Sequence, residues 1–265
     1  EKKDYDNFLT RLPQLTDLYS KAGYNFATHV YDVQAKLEPN FQTNALDVEF
    51  STLADSPIYY TLDGSDPTTS SIEYVGKFSV KEDAKIKAAA FANGKLSSKI
   101  FSEEIMITKS SYKPINLLTT AARGYSFNGA PLLVDGLYGS SNYKTGRWIG
   151  FQGADLVVVI DMLQPTEISE VKFNTNVVTG DWIFDAEEVI VETSNDNDTF
   201  ETIVSEKGLN VKEEHWQDVV NHEFAFDATT ARYFKVTIKS LREMPEWHSG
   251  KGRNAYVFVD EIALN

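Results

Sequence analysis

The sequence predicts a mainly β protein: a small antiparallel β-sandwich and a larger jelly-roll β-sandwich, preceded by one α-helix. Three observations lead there. Apolar residues recur at helical spacing only near the start, and from about Glu38 onward short alternating runs are divided by Gly, Asn, Asp and Pro turns. A break at Lys109-Ser110-Ser111-Tyr112-Lys113-Pro114 separates two β-rich stretches of unequal length. At 265 residues the chain is long enough for two or three small domains with cores of their own.

The helix comes first. Phe8, Leu9, Leu12, Leu15, Leu18 and Tyr19 recur at spacings of three and four, until Gly23 ends the pattern as a C′ residue. A lone amphipathic helix has no core, so it must dock on the strands C-terminal to it or on a segment that originally preceded it. Residues 24–31 alternate towards extended structure. The first ten residues are charged, with no initiator Met and no apolar leader, which points to a piece from the C-terminal part of a longer chain.

In the small sandwich Leu46, Val48 and Phe50 alternate with polar partners. Ile58 to Leu62, Phe78 to Val80, Ile86 to Phe91 and Ile100 to Ile107 read as further strands. Asn93-Gly94 is a hairpin signal, and Asp63-Gly64-Ser65-Asp66-Pro67 is a second turn. The larger sandwich is expected from strands at Leu156 to Asp161, Ile168 to Asn174, Val189 to Thr193, Phe200 to Val204, Phe224 to Phe226, Tyr233 to Ile238 and Tyr256 to Ile262. The predicted organisation is therefore residues 1–38 as helix and linker, 39–108 as the small sandwich and 109–265 as the larger module.

Charge and composition narrow the function. Against 39 acidic side chains stand 25 basic ones, a net −14, of which −9 falls in residues 109–265. No basic stripe exists for nucleic acid. The absence of cysteine excludes a disulfide scaffold, a thiolate zinc site and a cysteine nucleophile. The longest apolar run, Leu156 to Ile160, has five residues, so no segment inserts in a membrane as a helix. Gly-x-Ser-x-Gly, His-Glu-x-x-His and Gly-rich phosphate loops are all missing, and His29, His215, His222 and His248 are scattered.

Ile58-Tyr59-Tyr60-Thr61-Leu62-Asp63-Gly64-Ser65-Asp66-Pro67 resembles the chitobiase/β-hexosaminidase C-terminal domain, an Ig-like sandwich. The initial helix, running to Ala22-Gly23-Tyr24, resembles the last helix of a family 20 glycoside hydrolase barrel. In the last module, Leu133-Val134-Asp135-Gly136, Gly146-Arg147-Trp148, Leu156 to Asp161, Val189 to Asp196, Ala231 to Val236 and Val259-Asp260-Glu261-Ile262 resemble a coagulation factor 5/8 type C, or discoidin-like, jelly roll. That fold serves many carbohydrate-binding modules. Together these imply the C-terminal region of a bacterial β-N-acetylhexosaminidase, periplasmic or secreted, whose catalytic barrel is its partner. That family cleaves with an Asp-Glu pair in a His-x-Gly-Gly context. The sole Asp-Glu dipeptide, Asp260-Glu261, lacks that context, so a non-catalytic accessory region is expected.

The resemblance implies two sites. A structural Ca²⁺ would take carboxylates from Asp135 and Glu261, the Ser140 hydroxyl, and carbonyls of Leu132, Leu137 and Asp260, since Ca²⁺ favours about 6 to 8 oxygen ligands. Leu137 stands where the pattern usually has Asn or Asp. Against this, Asp135 and Gly136 also read as a simple Asx turn. A sugar site needs an aromatic platform beside planar polar groups. Trp182, in the loop Thr179 to Phe184, and Trp247, His248, Arg253 and Asn254, in the loop Met244 to Asn254, supply both, while Trp148 reads as core. Acidity leaves a neutral glycan containing N-acetylhexosamine or galactose as the easier ligand. The rival expectations are purely structural modules, in which Trp182 and Trp247 shield loops or touch the barrel, and a protein or cell-surface adhesion module.

Overall fold

The computed structural model describes residues 4–24, 29–54, 56–209 and 214–265. The chain divides into two compact units: Glu1–Asn40 with Ala45–Met106, and Phe41–Asn44 with Ile107–Asn265. It is mainly β, with antiparallel sheets and, among the described residues, one α-helix.

In the first unit, helix α1 (Tyr5–Lys21) ends where Gly23 takes φ +73°, a conformation glycine adopts without a Cβ clash. The helix is tied down by the Thr16 hydroxyl, 2.7 Å from the Tyr31 hydroxyl. Its apolar stripe stays largely open: Phe8, Leu15, Leu18 and Tyr19 are exposed, Leu18 to 65%. The extended run expected over residues 24–31 is not found where the chain is described. Residues 25–28 lie outside the described residues, and His29–Tyr31 form a 3-10 turn, closed by the Asp32 N–H on the His29 carbonyl.

The strands of this unit are β1 (Gln34–Asn40), β2 (Ala45–Ser51), β3 (Ile58–Thr61), β4 (Ile72–Glu73), β5 (Phe78–Val80), β6 (Ala84–Ala92), β7 (Lys95–Leu96) and β8 (Phe101–Ile105). One sheet runs β1-β2-β5, and the other β4-β3-β6-β7 with β8 also on β6. The alternation in β2 buries Leu46, Val48 and Phe50. Phe50 fills the space between the sheets, its ring centroid 5.3 to 6.0 Å from those of Tyr60, Tyr74, Phe78 and Phe101. Asn93 and Gly94 both have positive φ, as the tight turn between β6 and β7 requires.

The second unit contains β9 (Ile115–Leu117), β10 (Ile149–Gln152), β11 (Leu156–Val178), β12 (Ala186–Ser194), β13 (Glu201–Lys207), β14 (Gln217–Ser240) and β15 (Tyr256–Leu264). Their order is β10-β15-β11-β14-β12-β13, with β9 paired to β11, all antiparallel. Where separate strands are expected at 156–161 and 168–174, and at 224–226 and 233–238, the structure has two long strands that bend across the sandwich. Leu156–Asp161 pair with Tyr233–Ile238, while Glu170–Val178 pair with Gln217–Ala225, and the ladder shifts register in between. Leu163, at φ +70°, donates its N–H to Asp161 Oδ1, so the chain turns without leaving the sheet. The Arg232 guanidinium closes the bend with two bonds to Asp161, at 2.8 and 2.9 Å. Leu156, Val158, Ile160, Phe173, Phe234 and Val259 are among the side chains of the core between the two layers.

Candidate functional site

Three loops of the second unit, residues 119–148, 179–185 and 241–255, come together through short hydrogen bonds. The Tyr256 N–H donates to the Trp182 carbonyl at 2.8 Å, and the Phe184 N–H donates to the Tyr256 carbonyl at 2.9 Å. The Tyr143 hydroxyl donates to Asp181 at 2.7 Å. Because the partners include main-chain groups at the start of β15, the loops inherit the rigidity of the sheet.

Thr179–Asp181 form one 3-10 turn, and Trp182 comes next at φ +70° with its N–H on the Thr179 carbonyl. A left-handed tryptophan is held against steric cost by its surroundings. Trp182 and Trp247 are half-buried, packing on Phe184, Met244 and Ala255. Trp247 also meets the His215 ring edge-on at 5.4 Å. The Arg253 guanidinium lies 5.5 Å over the Trp182 ring, a cation–π contact. Asn254 is exposed beside it, its backbone bridged to Glu243.

His248 is placed differently from its neighbours. It is 3% exposed; Nε2 donates to the Thr179 carbonyl at 2.9 Å and Nδ1 accepts the Gly250 N–H at 3.0 Å. Both ring nitrogens are committed, so His248 fastens loop 241–255 to loop 179–185 and has no ring nitrogen left to offer a ligand. The structure thus gathers Trp182, Trp247 and Arg253 into one aromatic and cationic cluster, with Asn254 at its edge and His248 beneath.

Half-buried Tyr125 and Tyr256 lie over buried Tyr143 beside these loops, and a sequence reading that weighs only tryptophans as platforms misses them. Tyr125 packs on Tyr143, Tyr256 and Phe258 at 6.1, 5.8 and 4.9 Å. Burial and the Asp181 carboxylate push the Tyr143 phenol well above its ordinary pKa. Trp148 is fully buried, as expected of a core position, and its indole donates to the Ser140 carbonyl.

The residues implied for Ca²⁺ lie at the junction of the Asp-Gly loop with β15. Glu261 and Asp260 are fully buried and Asp135 is 5% exposed. Glu261 accepts the N–H groups of Asp135 and Gly136 at 3.0 and 3.2 Å, and Asp135 Oδ1 accepts the Leu137 N–H. Asp260 accepts N–H donors from Gly139, Asn174 and Glu261. Burial, then repulsion from Asp135, pushes Glu261 well above the usual carboxylate range, and burial pushes Asp260 up to about 6. Leu132 and Leu137 are buried in the same loop, whereas Ser140 is exposed and its carbonyl holds Trp148 and Asn176. Among the described residues no group of three or more His, Asp or Glu is arranged to hold a metal. The fit to a hard cation therefore rests on two carboxylates, Asp135 and Glu261, crowded together by the fold.

Comparisons with known proteins bear on both units. A family model described as F5/8 type C domain matches residues 107–258, and one described as Fn3 associated matches residues 48–105. No curated protein is significantly similar to the chain. Among solved structures, chitosan-binding module 1 of a chitosanase/glucanase from Paenibacillus sp. IK-5 is similar at 14% identity and TM-score 0.38, covering 60% of this chain and 98% of that one. CpGH89CBM32-5 from Clostridium perfringens, in complex with GalNAc-β-1,3-galactose, is similar at 11% identity and TM-score 0.38, covering 57% and 93%. A family 89 glycoside hydrolase from Clostridium perfringens is similar at 14% identity and TM-score 0.40, covering 60% of this chain and 14% of that enzyme.

Proposed function

The chain belongs to the F5/8 type C domain family, and from that premise we propose that its second unit is a non-catalytic carbohydrate-binding module whose site is the loop cluster around Trp182. One observation carries the reading: two half-exposed tryptophans converge with a guanidinium stacked on one of them. Sugars present apolar C–H faces rimmed by hydroxyls, so ring and fork together match what a pyranose offers. Trp182 and Trp247 supply the platform, Arg253 and Asn254 the polar rim, and His248 the fixed geometry. Calorimetry of the protein against an array of oligosaccharides tests this. Failure to bind any of them would leave the structural reading of both modules in its place.

A Ca²⁺ ion near Asp135 and Glu261 is the second part of the proposal. It would neutralise two carboxylates that burial and mutual repulsion otherwise penalise, bracing the Asp-Gly loop against β15. The third part concerns the parent protein. The Tyr60 to Pro67 motif and the uncovered stripe on α1 support an accessory region of an exported β-N-acetylhexosaminidase, periplasmic or secreted, in which the module tethers a catalytic barrel to glycan. Hydrolysis of a chromogenic N-acetylglucosaminide by this chain alone would overturn the non-catalytic reading. An upstream coding sequence without a barrel would overturn the parent enzyme.

A further inference from the structure

We infer that the saccharide taken by this loop cluster is anionic, bearing carboxylate or sulfate groups that Arg123, Lys144 and Arg253 recognise; the inference rests on the glycan-binding reading above. The second unit is strongly acidic, yet its cations are unevenly used. Lys172, Lys207, Arg232, Lys235, Lys239 and Arg242 each sit on a carboxylate. Lys109 instead donates to the Glu167 carbonyl and Lys113 is half-buried, while Arg123, Lys144 and Arg253 are exposed and form no ion pair among the described residues.

Two of the three stand over aromatic rings, and the third is a near neighbour in sequence of another aromatic residue. Lys144 Nζ lies 5.0 Å above Tyr143 and the Arg253 guanidinium 5.5 Å above Trp182. Arg123 is two residues before Tyr125, which packs on Tyr143 and Tyr256. Segment 119–147 holds three basic residues and a single acid, Asp135, which is buried. Of the acids near this surface, Asp181 accepts the Tyr143 hydroxyl and Glu246 is held by Lys251 at 2.9 Å. Glu214 and Glu243 are exposed at the rim.

Free cations on the loops that carry the aromatic cluster draw an anion to those loops, while the surplus carboxylates elsewhere on the unit repel it. A guanidinium fork matches carboxylate and sulfate bidentately, which hydroxyls alone do not require. This reverses the expectation drawn from net charge: the total excludes polyanions only if charge is evenly spread, and here it is not.

The test is calorimetry with matched oligosaccharides: oligogalacturonate for carboxylate, a sulfated galactan for sulfate, and a neutral galactan. The expected result is binding at least about tenfold tighter to one charged ligand than to the neutral one at low ionic strength, the margin shrinking in about 0.5 M NaCl. Arg123→Gln and Lys144→Gln should each reduce charged-ligand affinity about two- to fivefold and leave neutral-ligand affinity and melting temperature unchanged. The arm that responds identifies the group. Equal or tighter binding of the neutral galactan overturns the anionic assignment alone. Absence of binding in all three arms overturns it together with the glycan-binding reading.

Discussion

Asp185 Oδ1 lies 2.8 Å from His222 Nε2 in the interior of the second unit, and the same oxygen accepts the Thr175 hydroxyl and the Ala186 N–H. Asp185 and Thr175 are 1% and 0% exposed, and His222 stacks on Phe173 at 4.8 Å. The pair anchors the end of loop 179–185 to β11 and β14, three residues after Trp182. His222→Ala leaves a buried carboxylate without its imidazole partner and is expected to cost about 3 kcal/mol of unfolding free energy. Chemical denaturation measures it. A loss under about 0.5 kcal/mol, within the range of ordinary surface substitutions, would mean the pair is not a structural anchor.

Trp182→Ala and Trp247→Ala remove the two rings of the proposed platform. Each is expected to weaken oligosaccharide binding by about 2 kcal/mol, roughly thirtyfold, with the fold retained. Calorimetry alongside circular dichroism reads both quantities. Unchanged affinity in both variants would remove the platform and favour a shielding role for the rings.

Asp47 offers a pH test in the first unit. The Ser79 hydroxyl, then Lys77 and Asn40, hold its carboxyl down to about 2 from an ordinary 3.8. A lowered folded-state pKa contributes stability that is complete above the unfolded value and lost as pH falls through the folded one. The first unit should therefore lose stability between about pH 4 and pH 2, and Asp47→Asn should flatten that slope. Calorimetric melts across the range, with carboxyl titration by NMR, check it; an Asp47 midpoint near 3.8 would contradict the prediction.

Calcium should raise the melting temperature of the second unit, because a ligand that binds only the folded state stabilises it by mass action. Glu261→Gln should abolish the increase. Melts with excess Ca²⁺ and with chelator decide, and identical midpoints for the unsubstituted protein would dismiss the ion.

Gly139 tests the packing behind the loops. A Cβ there would run into Cε2 of the Trp148 indole, which is fully buried. Gly139→Ala is expected to destabilise by more than about 2 kcal/mol and to shift tryptophan fluorescence as the ring moves. An unperturbed spectrum would show that the loop, not the ring, gives way.

Much of this architecture is legible in the residues because short strands announce themselves by alternation and punctuation. Leu46, Val48 and Phe50, and the Asn93-Gly94 turn, translate directly into β2 and the β6–β7 hairpin. The continuity of β11 is not legible, since Met162-Leu163-Gln164-Pro165 reads as a loop. Only the Arg232–Asp161 bond and the register shift, both tertiary, show the chain turning within the sheet. β1 escapes notice because Gln34–Asn40 is an edge strand with polar and half-covered positions. In the site, residue chemistry brings Trp182, Trp247 and Arg253 to attention from distant stretches. The burial of His248 is invisible because its partner, the Thr179 carbonyl, is a main-chain atom with no sequence signature.

The position of β15 sets the order in which the second unit can mature. This strand, spanning Tyr256–Leu264, lies between β10 and β11 inside the sheet, with Val257, Val259, Ile262 and Leu264 in the core. A ribosome releases it after every other strand of the unit, so the nascent unit carries an open slot flanked by unpaired edges until synthesis has passed residue 264. Such a chain stays vulnerable to wrong pairing for the whole of that interval. Closure then forms contacts with β10 over a hundred residues away in sequence, a slow step by its topology. Early-stopped products ending before residue 256 should therefore be held by chaperones or degraded rather than accumulate as a folded shorter module.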